Sequence, residues 1–180
     1  FIFSKWKIFF KLLKDKKKIL ALFFSGILIF SNWAVWIYAV STNRVIDASF
    51  GYFVMPIISV FLGYFFFKEK ISSKAKLSIL LVILSILYLL FLDLKTIPWV
   101  GLLVAILWSV YNLLRKKINV NTDIGLLIES LFILPFVIVA FYIITKNNYN
   151  DFDISNPSLM FILMLAGPMT VIPLFLYVKG

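Results

Sequence analysis

The sequence predicts an all-α fold, a polytopic transmembrane helical bundle. Two observations point there: long apolar runs, and basic residues gathered in short clusters between those runs. Hydrophobic residues make up 63% of the 180 residues, and the mean hydropathy is +1.04. Soluble domains are about 45–50% apolar, and a soluble chain of this length has no interior large enough to hide the surplus. The remaining solvent is lipid, so a bilayer is the first expected partner. Without Cys or His there is no disulfide framework and no thiolate or imidazole metal site. The usual nucleophile–base pairs of catalysis are missing as well. No metal, no cofactor and no enzymatic activity are expected.

Each element follows from the length rule that a spanning helix needs about 20 mostly apolar residues. Six segments meet or approach it: 19–40, 48–67, 77–92, 97–114, 124–145 and 157–178. The third is short, and Lys74 and Lys76 complete it by snorkelling. Pro56 and Pro135 interrupt the second and fifth, and Pro168 and Pro173 are expected to kink the sixth. The first 18 residues are basic and aromatic. They read either as an interfacial amphipathic helix or as the end of an earlier span followed by a cytoplasmic loop. No cleavable signal peptide is evident. The chain starts at Phe1 and ends at Gly180 just after an apolar run, and the gene product is expected to continue at both ends.

A net charge of +10 alone would suggest nucleic acid. The positions of the charges argue for membrane topology and against a nucleic-acid partner. With residues 1–18 placed in the cytoplasm and the spans alternating, fifteen of the eighteen Lys and Arg residues fall on the cytoplasmic side. Only Arg44, Lys95 and Lys146 fall outside. That asymmetry fixes the orientation. Trp6, Tyr38, Tyr88, Trp99, Tyr142 and Tyr177 lie near span ends, where amphipathic rings favour the headgroup level.

Chemistry is sought among polar groups inside the spans. Asn32, in Ser31-Asn32-Trp33, must find a partner in hydrocarbon. It either makes one interhelical hydrogen bond or presents its amide to a substrate. Asn112, near Ser109 and Tyr111, poses the same choice. Glu129 is the sharpest residue, about one and a half turns into the fifth span. An ionisable group there is a functional hypothesis by default, and desolvation of its charged form suits a proton-coupling group. The alternative is a structural ion pair or a headgroup contact. Asp47 opens the second span, where an acid favours the helix dipole, and reads first as an N-terminal cap. Ser59 with Gly63, and Ala105 with Ser109, are small-residue pairs suited to close helix packing. No phosphate-cradling Gly-rich loop is present.

The stretch Asp47-Ala-Ser-Phe-Gly51-Tyr52-Phe53-Val-Met-Pro56 resembles the signature of RarD-type permeases of the EamA family, in the drug/metabolite transporter superfamily. Ser31-Asn32-Trp33, Arg115-Lys116-Lys117-Ile118, Gly125 to Pro135, Asn156-Pro157 and Ala166-Gly167-Pro168-Met169-Thr170 fit the same family in order. Two positions depart from it: Asp47 stands where the family has Glu, and Lys68 where it has Gly. The resemblance implies a ten-helix permease built from two five-helix inverted repeats. Residues 1–95 would then carry part of the first repeat and 96–180 part of the second, with the boundary near Asp93 to Pro98. It also implies association with chloramphenicol sensitivity and metabolite export.

The expected function is secondary transport of a small metabolite or drug, such as chloramphenicol, across the bacterial inner membrane by alternating access. Its site would lie near the midplane between repeats. Asn32, Tyr52 and Asn112 are the candidate substrate-lining residues and Glu129 the candidate proton site. Two other classes stand beside this one. A membrane-embedded lipid-modifying enzyme would need acid/base groups gathered at an interface, and the outer-side acids are Asp47, Asp93, Asp151 and Asp153. A non-transporting scaffold is the third.

Overall fold

The computed structural model describes residues 2–92, 98–147 and 156–179. The described residues form helices α1 (Ile2–Leu13), α2 (Lys16–Ser41), α3 (Val45–Phe67), α4 (Ser73–Leu92), α5 (Trp99–Ile118), α6 (Thr122–Lys146) and α7 (Pro157–Lys179). Each expected span has its helix. Among the described residues α2, α3, α5 and α6 are long and apolar enough to cross a membrane. The expected repeat boundary at 95 lies outside the described residues, as do Asp93, Lys95, Asp151 and Asp153.

Contacts divide the chain into two units, Phe1–Ile133 and Leu134–Gly180. The first holds α1 to α5 and the first half of α6; the second holds the rest of α6 and α7. The contacts between helices and the candidate site described below belong to the first unit.

Local chemistry sets the helix limits. Asp15 caps α2, its carboxylate accepting the Lys18 backbone N–H at 3.2 Å, which satisfies one of the free donors at a helix start. The end of α5 runs past Leu114 to Ile118 because Arg115, Lys116 and Lys117 occupy its last turn, where cations complement the helix dipole. Asn119 closes that helix in the left-handed conformation, with φ of 48°. Lys68 does the same for α3 at φ of 53°. Its position is the one where the resembled family has Gly, and the left-handed backbone is the reason, since only Gly enters it without steric cost.

The prolines do not break their helices. Pro56 lies inside α3 and Pro135 inside α6, and α7 continues through Pro168 and Pro173. The expectation that Pro56 and Pro135 interrupt their spans is therefore corrected. A ring inside a helix removes one backbone donor, and the helix runs on with its other bonds; beside Pro56 the Ser109 hydroxyl also donates to the Met55 carbonyl at 3.2 Å.

In lipid, helices associate through close packing and hydrogen bonds between them rather than through hydrophobic burial. The first unit shows both. Helices α3 and α5 run side by side in the same direction. Asp47 meets Gly101 at one end, Ser59 meets Ser109 midway at 3.3 Å, and Glu69 pairs with Lys116 at the other end. Their backbones touch at Gly51 and Gly101. A Cβ on Gly101 would collide with the Asp47 carbonyl oxygen and come within 2.9 Å of the Gly51 nitrogen. Helix α2 runs the opposite way along α5: Ala39 and Trp36 pack with Val100 and Val104, and the Asn32 amide donates to the Val104 carbonyl at 3.1 Å. These directions agree with the alternation inferred from the basic residues.

Asp47 differs from its expected role. Its own helix starts at Arg44 without a side-chain cap. The carboxylate instead accepts the Gly101 N–H of α5 at 3.2 Å and pairs with Arg44 at 2.8 Å. The glycine contact brings the first turns of two parallel helices together, so an acid in one caps the other. Arg44 also lies over the Trp99 ring, 4.8 Å from its centroid.

Two predictions follow from this packing. Gly101→Ala forces α3 and α5 apart and is expected to cost roughly 3 kcal/mol, the upper range for overpacking a tight contact. Lys68→Gly relieves the left-handed backbone and is expected to add about 1 kcal/mol. Thermal unfolding of the detergent-solubilised gene product checks both, with the melting temperature falling in the first variant and rising in the second.

Candidate functional site

The centre of the candidate site is the Glu129 carboxylate, which is only 2% exposed. Two other helices bring groups to it. From α2, the Ser25 hydroxyl donates to Glu129 Oε1 and also lies 3.1 Å from the Leu22 carbonyl. From α5, the Tyr111 hydroxyl donates to Oε2 at 3.2 Å. One turn further along α5, Arg115 Nη1 stands 3.5 Å from Oε1, and Nη2 donates to the Thr122 carbonyl at 3.2 Å. Both carboxylate oxygens are thus engaged, and a cation balances the charge.

Two glycines make the room. The guanidinium of Arg115 lies directly against Gly125, where any Cβ would clash with Nη1. Gly125 is four residues before Glu129 on the same helix, so it and Glu129 share a face, and the missing side chain is the notch through which Arg115 reaches the acid. On the other side Gly26 of α2 closes on the Glu129 backbone, a Cβ there coming within 3.4 Å of the Glu129 carbonyl oxygen. Below the site Leu12, Leu22, Ile118, Ile124 and Ile128 form a buried apolar cluster from α1, α2, α5 and α6. It keeps water from that flank, where an ion pair is less screened than at a surface.

The other residues singled out in the sequence are not gathered here. Asn32 is buried and holds Val104, so its amide serves as interhelical glue. Tyr52 is exposed, its ring tilted over Trp36 at 5.6 Å between centroids. Asn112 is exposed on α5, next to buried Tyr111. Among the outer acids of the enzyme reading, Asp47 is occupied by the Gly101 N–H and Arg44. No cluster of His, Cys, Asp and Glu able to hold a metal occurs among the described residues.

Sequence reasoning found Glu129 but not Ser25, Gly26, Gly125 or Arg115 as its surroundings. Arg115 was absorbed into the count of topological charges. A usable signal was present in the Gly125–Glu129 spacing, since a glycine one turn before a membrane acid leaves that face open to a long side chain.

The model of the EamA-like transporter family matches residues 1–91. The chain belongs to the EamA-like transporter family. Within that family, Protein RarD of Salmonella typhi is 32% identical over 173 residues, covering 96% of this chain and 58% of the relative. The uncharacterized transporter YojE of Bacillus subtilis is 33% identical over 183 residues, covering 100% of this chain and 60% of the relative. Chloramphenicol-sensitive protein RarD of Pseudomonas aeruginosa is 27% identical over 111 residues, covering 62% of this chain and 37% of the relative. The chain spans about three fifths of the length of the Salmonella typhi and Bacillus subtilis relatives. No solved structure matches it. With these relatives and its four spanning helices, the EamA chain is a multi-pass protein of the bacterial inner membrane.

The geometry predicts a specific energetic pattern. Arg115→Met leaves the Glu129 carboxylate buried without its cation, and breaking a buried pair in this way costs about 3–5 kcal/mol. The double variant Arg115→Met with Glu129→Met removes both charges and is expected to recover most of that loss. Melting temperatures of the wild type, the two single variants and the double variant form the cycle. Additive losses would show that the two side chains do not interact.

Proposed function

We propose that the complete protein is a secondary transporter of a small metabolite or drug, working by alternating access, with Glu129 as its proton-carrying group. The buried Glu129 carboxylate is the observation that supports this most, because a charged group inside a membrane span is costly and usually serves a transport pathway. Protonation would change its bonding in a defined way. As a carboxylate it accepts from Ser25 and Tyr111 and balances Arg115. As a neutral acid it carries an O–H, which the Ser25 oxygen can accept. It then no longer balances the guanidinium, and Arg115 keeps the Thr122 carbonyl as its protein partner. Proton binding and release at one atom pair thereby changes how tightly α5 is held to α2 and α6. That is the kind of two-state contact alternating access requires.

Tyr52 and Asn112 are the proposed substrate-lining residues, their side chains being open on α3 and α5. Asn32 enters the proposal through its grip on α5. The ten-helix architecture of two inverted repeats is part of the same reading, with residues 1–95 and 96–180 contributing to each. Chloramphenicol is the first compound to test, since the Pseudomonas aeruginosa relative is named a chloramphenicol-sensitive protein.

The experiment is accumulation of labelled chloramphenicol and a panel of amino-acid-like metabolites in cells carrying the complete gene, beside cells without it. A protein-dependent change that collapses with an uncoupler is expected for at least one compound. Glu129→Gln keeps the shape and most hydrogen bonds of the acid but cannot exchange a proton, and is expected to lose the uncoupler-sensitive part. Unchanged transport and pH dependence in that variant would refute the coupling role.

A further inference from the structure

We propose that the groove between α1 and α2 at the cytoplasmic end is a binding site for the phosphate of an anionic phospholipid. Two elements converge on this groove, which is lined by Ile8, Lys11, Leu12, Lys14, Asp15 and Lys18. Topology alone requires basic residues on the cytoplasmic side. It does not require Lys11 of one helix, Lys14 of the link and Lys18 of the next helix to face the same recess.

The arrangement around α1 argues for a lipid. Trp6, Phe10 and Leu13 recur at helical spacing and are all exposed, at 50%, 58% and 45%. Lys7, Lys11 and Lys14 form the adjoining stripe one residue along, and Ile8 and Leu12 the next. An exposed apolar face beside a lysine stripe is the pattern of a helix lying at the level of the headgroups. The groove opens on the far side of the lysine stripe, with half-exposed Ile8 and buried Leu12 supplying apolar surface beside the cations. A free phosphate would use only the cations; a phospholipid uses both. The start of α2 adds to the attraction. Asp15 satisfies the Lys18 N–H, but the remaining donors of the first turn and the positive end of the helix dipole face the same region. Asp15 is the one carboxylate in the lining, against three lysines. Lys18 is only partly exposed, as suits a stem packed along the groove.

Native mass spectrometry of the purified, complete gene product tests this with phosphatidylglycerol, cardiolipin and phosphatidylethanolamine as probes. The two anionic lipids are expected to remain bound at higher occupancy than the zwitterionic one. Lys11→Gln, Lys14→Gln and Lys18→Gln are each expected to weaken phosphatidylglycerol binding about fivefold, the contribution of one lysine near an anionic headgroup, and the combined triple variant of the groove to weaken it further. The charge-matched triple Lys70→Gln, Lys74→Gln and Lys76→Gln, elsewhere on the cytoplasmic side, is expected to leave it unchanged. Should the combined groove variant fail to insert, the exposed single variants Lys11→Gln and Lys14→Gln decide the matter alone. Equal retention of phosphatidylethanolamine, an equal loss in the control triple, no loss in the two single variants, or displacement of the lipid by equimolar inorganic phosphate would each overturn the proposal.

Discussion

The first unit depends on the approach of α3 and α5 at Gly51 and Gly101. Lipid offers no hydrophobic reward for bringing two helices together, so their backbones must come close enough for dispersion and polar contacts to act. Hydrogen at both Cα atoms permits that distance. Once it is set, Asp47 reaches the Gly101 N–H, Ser59 reaches Ser109, and Ser109 reaches the Met55 carbonyl beside Pro56. Larger residues at the crossing would separate all three contacts together. Helix α5 then becomes the post against which α2 also packs, through Asn32 and the apolar layer around Ala39 and Val100.

The candidate site follows the same logic at the other end of α5. Gly26 brings α2 onto the Glu129 backbone, and Gly125 clears a path for Arg115. The polar groups are therefore placed by residues without side chains. Arg115 has two duties that compete for one guanidinium: it sits in the basic last turn of α5, favoured there by the dipole, and it neutralises an acid inside the next span. Lys116, its neighbour, faces outward to Glu69 instead. Adjacent residues on a helix point about 100° apart, which is why one cation can be buried and the next solvated.

Much of the fold was legible in the sequence because membrane spans are set by length and hydropathy, and orientation by the clustering of lysine. The end of α5 was not, since a hydropathy reading stops at the first charge while the helix continues through Arg115 to Lys117. The prolines misled for a related reason. A proline ring costs one backbone bond of the ladder, and the remaining bonds carry α3 and α6 past Pro56 and Pro135. Glu129 stood out as an isolated charge in an apolar run. Its partners did not, because Ser25 and Tyr111 are unremarkable in any span and Arg115 already had an explanation. Asp47 was visible as an acid at a helix start, but which helix it caps depends on a crossing between residues far apart in the chain. The family resemblance in the sequence is matched by the EamA-like transporter model over residues 1–91.

The position of α5 in the chain has a consequence for biogenesis. Asn32 enters the membrane with α2, yet the Val104 carbonyl that accepts from its amide lies on a helix synthesised later. The Ser59 hydroxyl meets its Ser109 partner in the same order. Until α5 emerges, those polar atoms must be sheltered by water or by the insertion machinery, because hydrocarbon cannot satisfy them. The polar contacts of α2 and α3 are thus completed only by a segment that follows α4 in the chain.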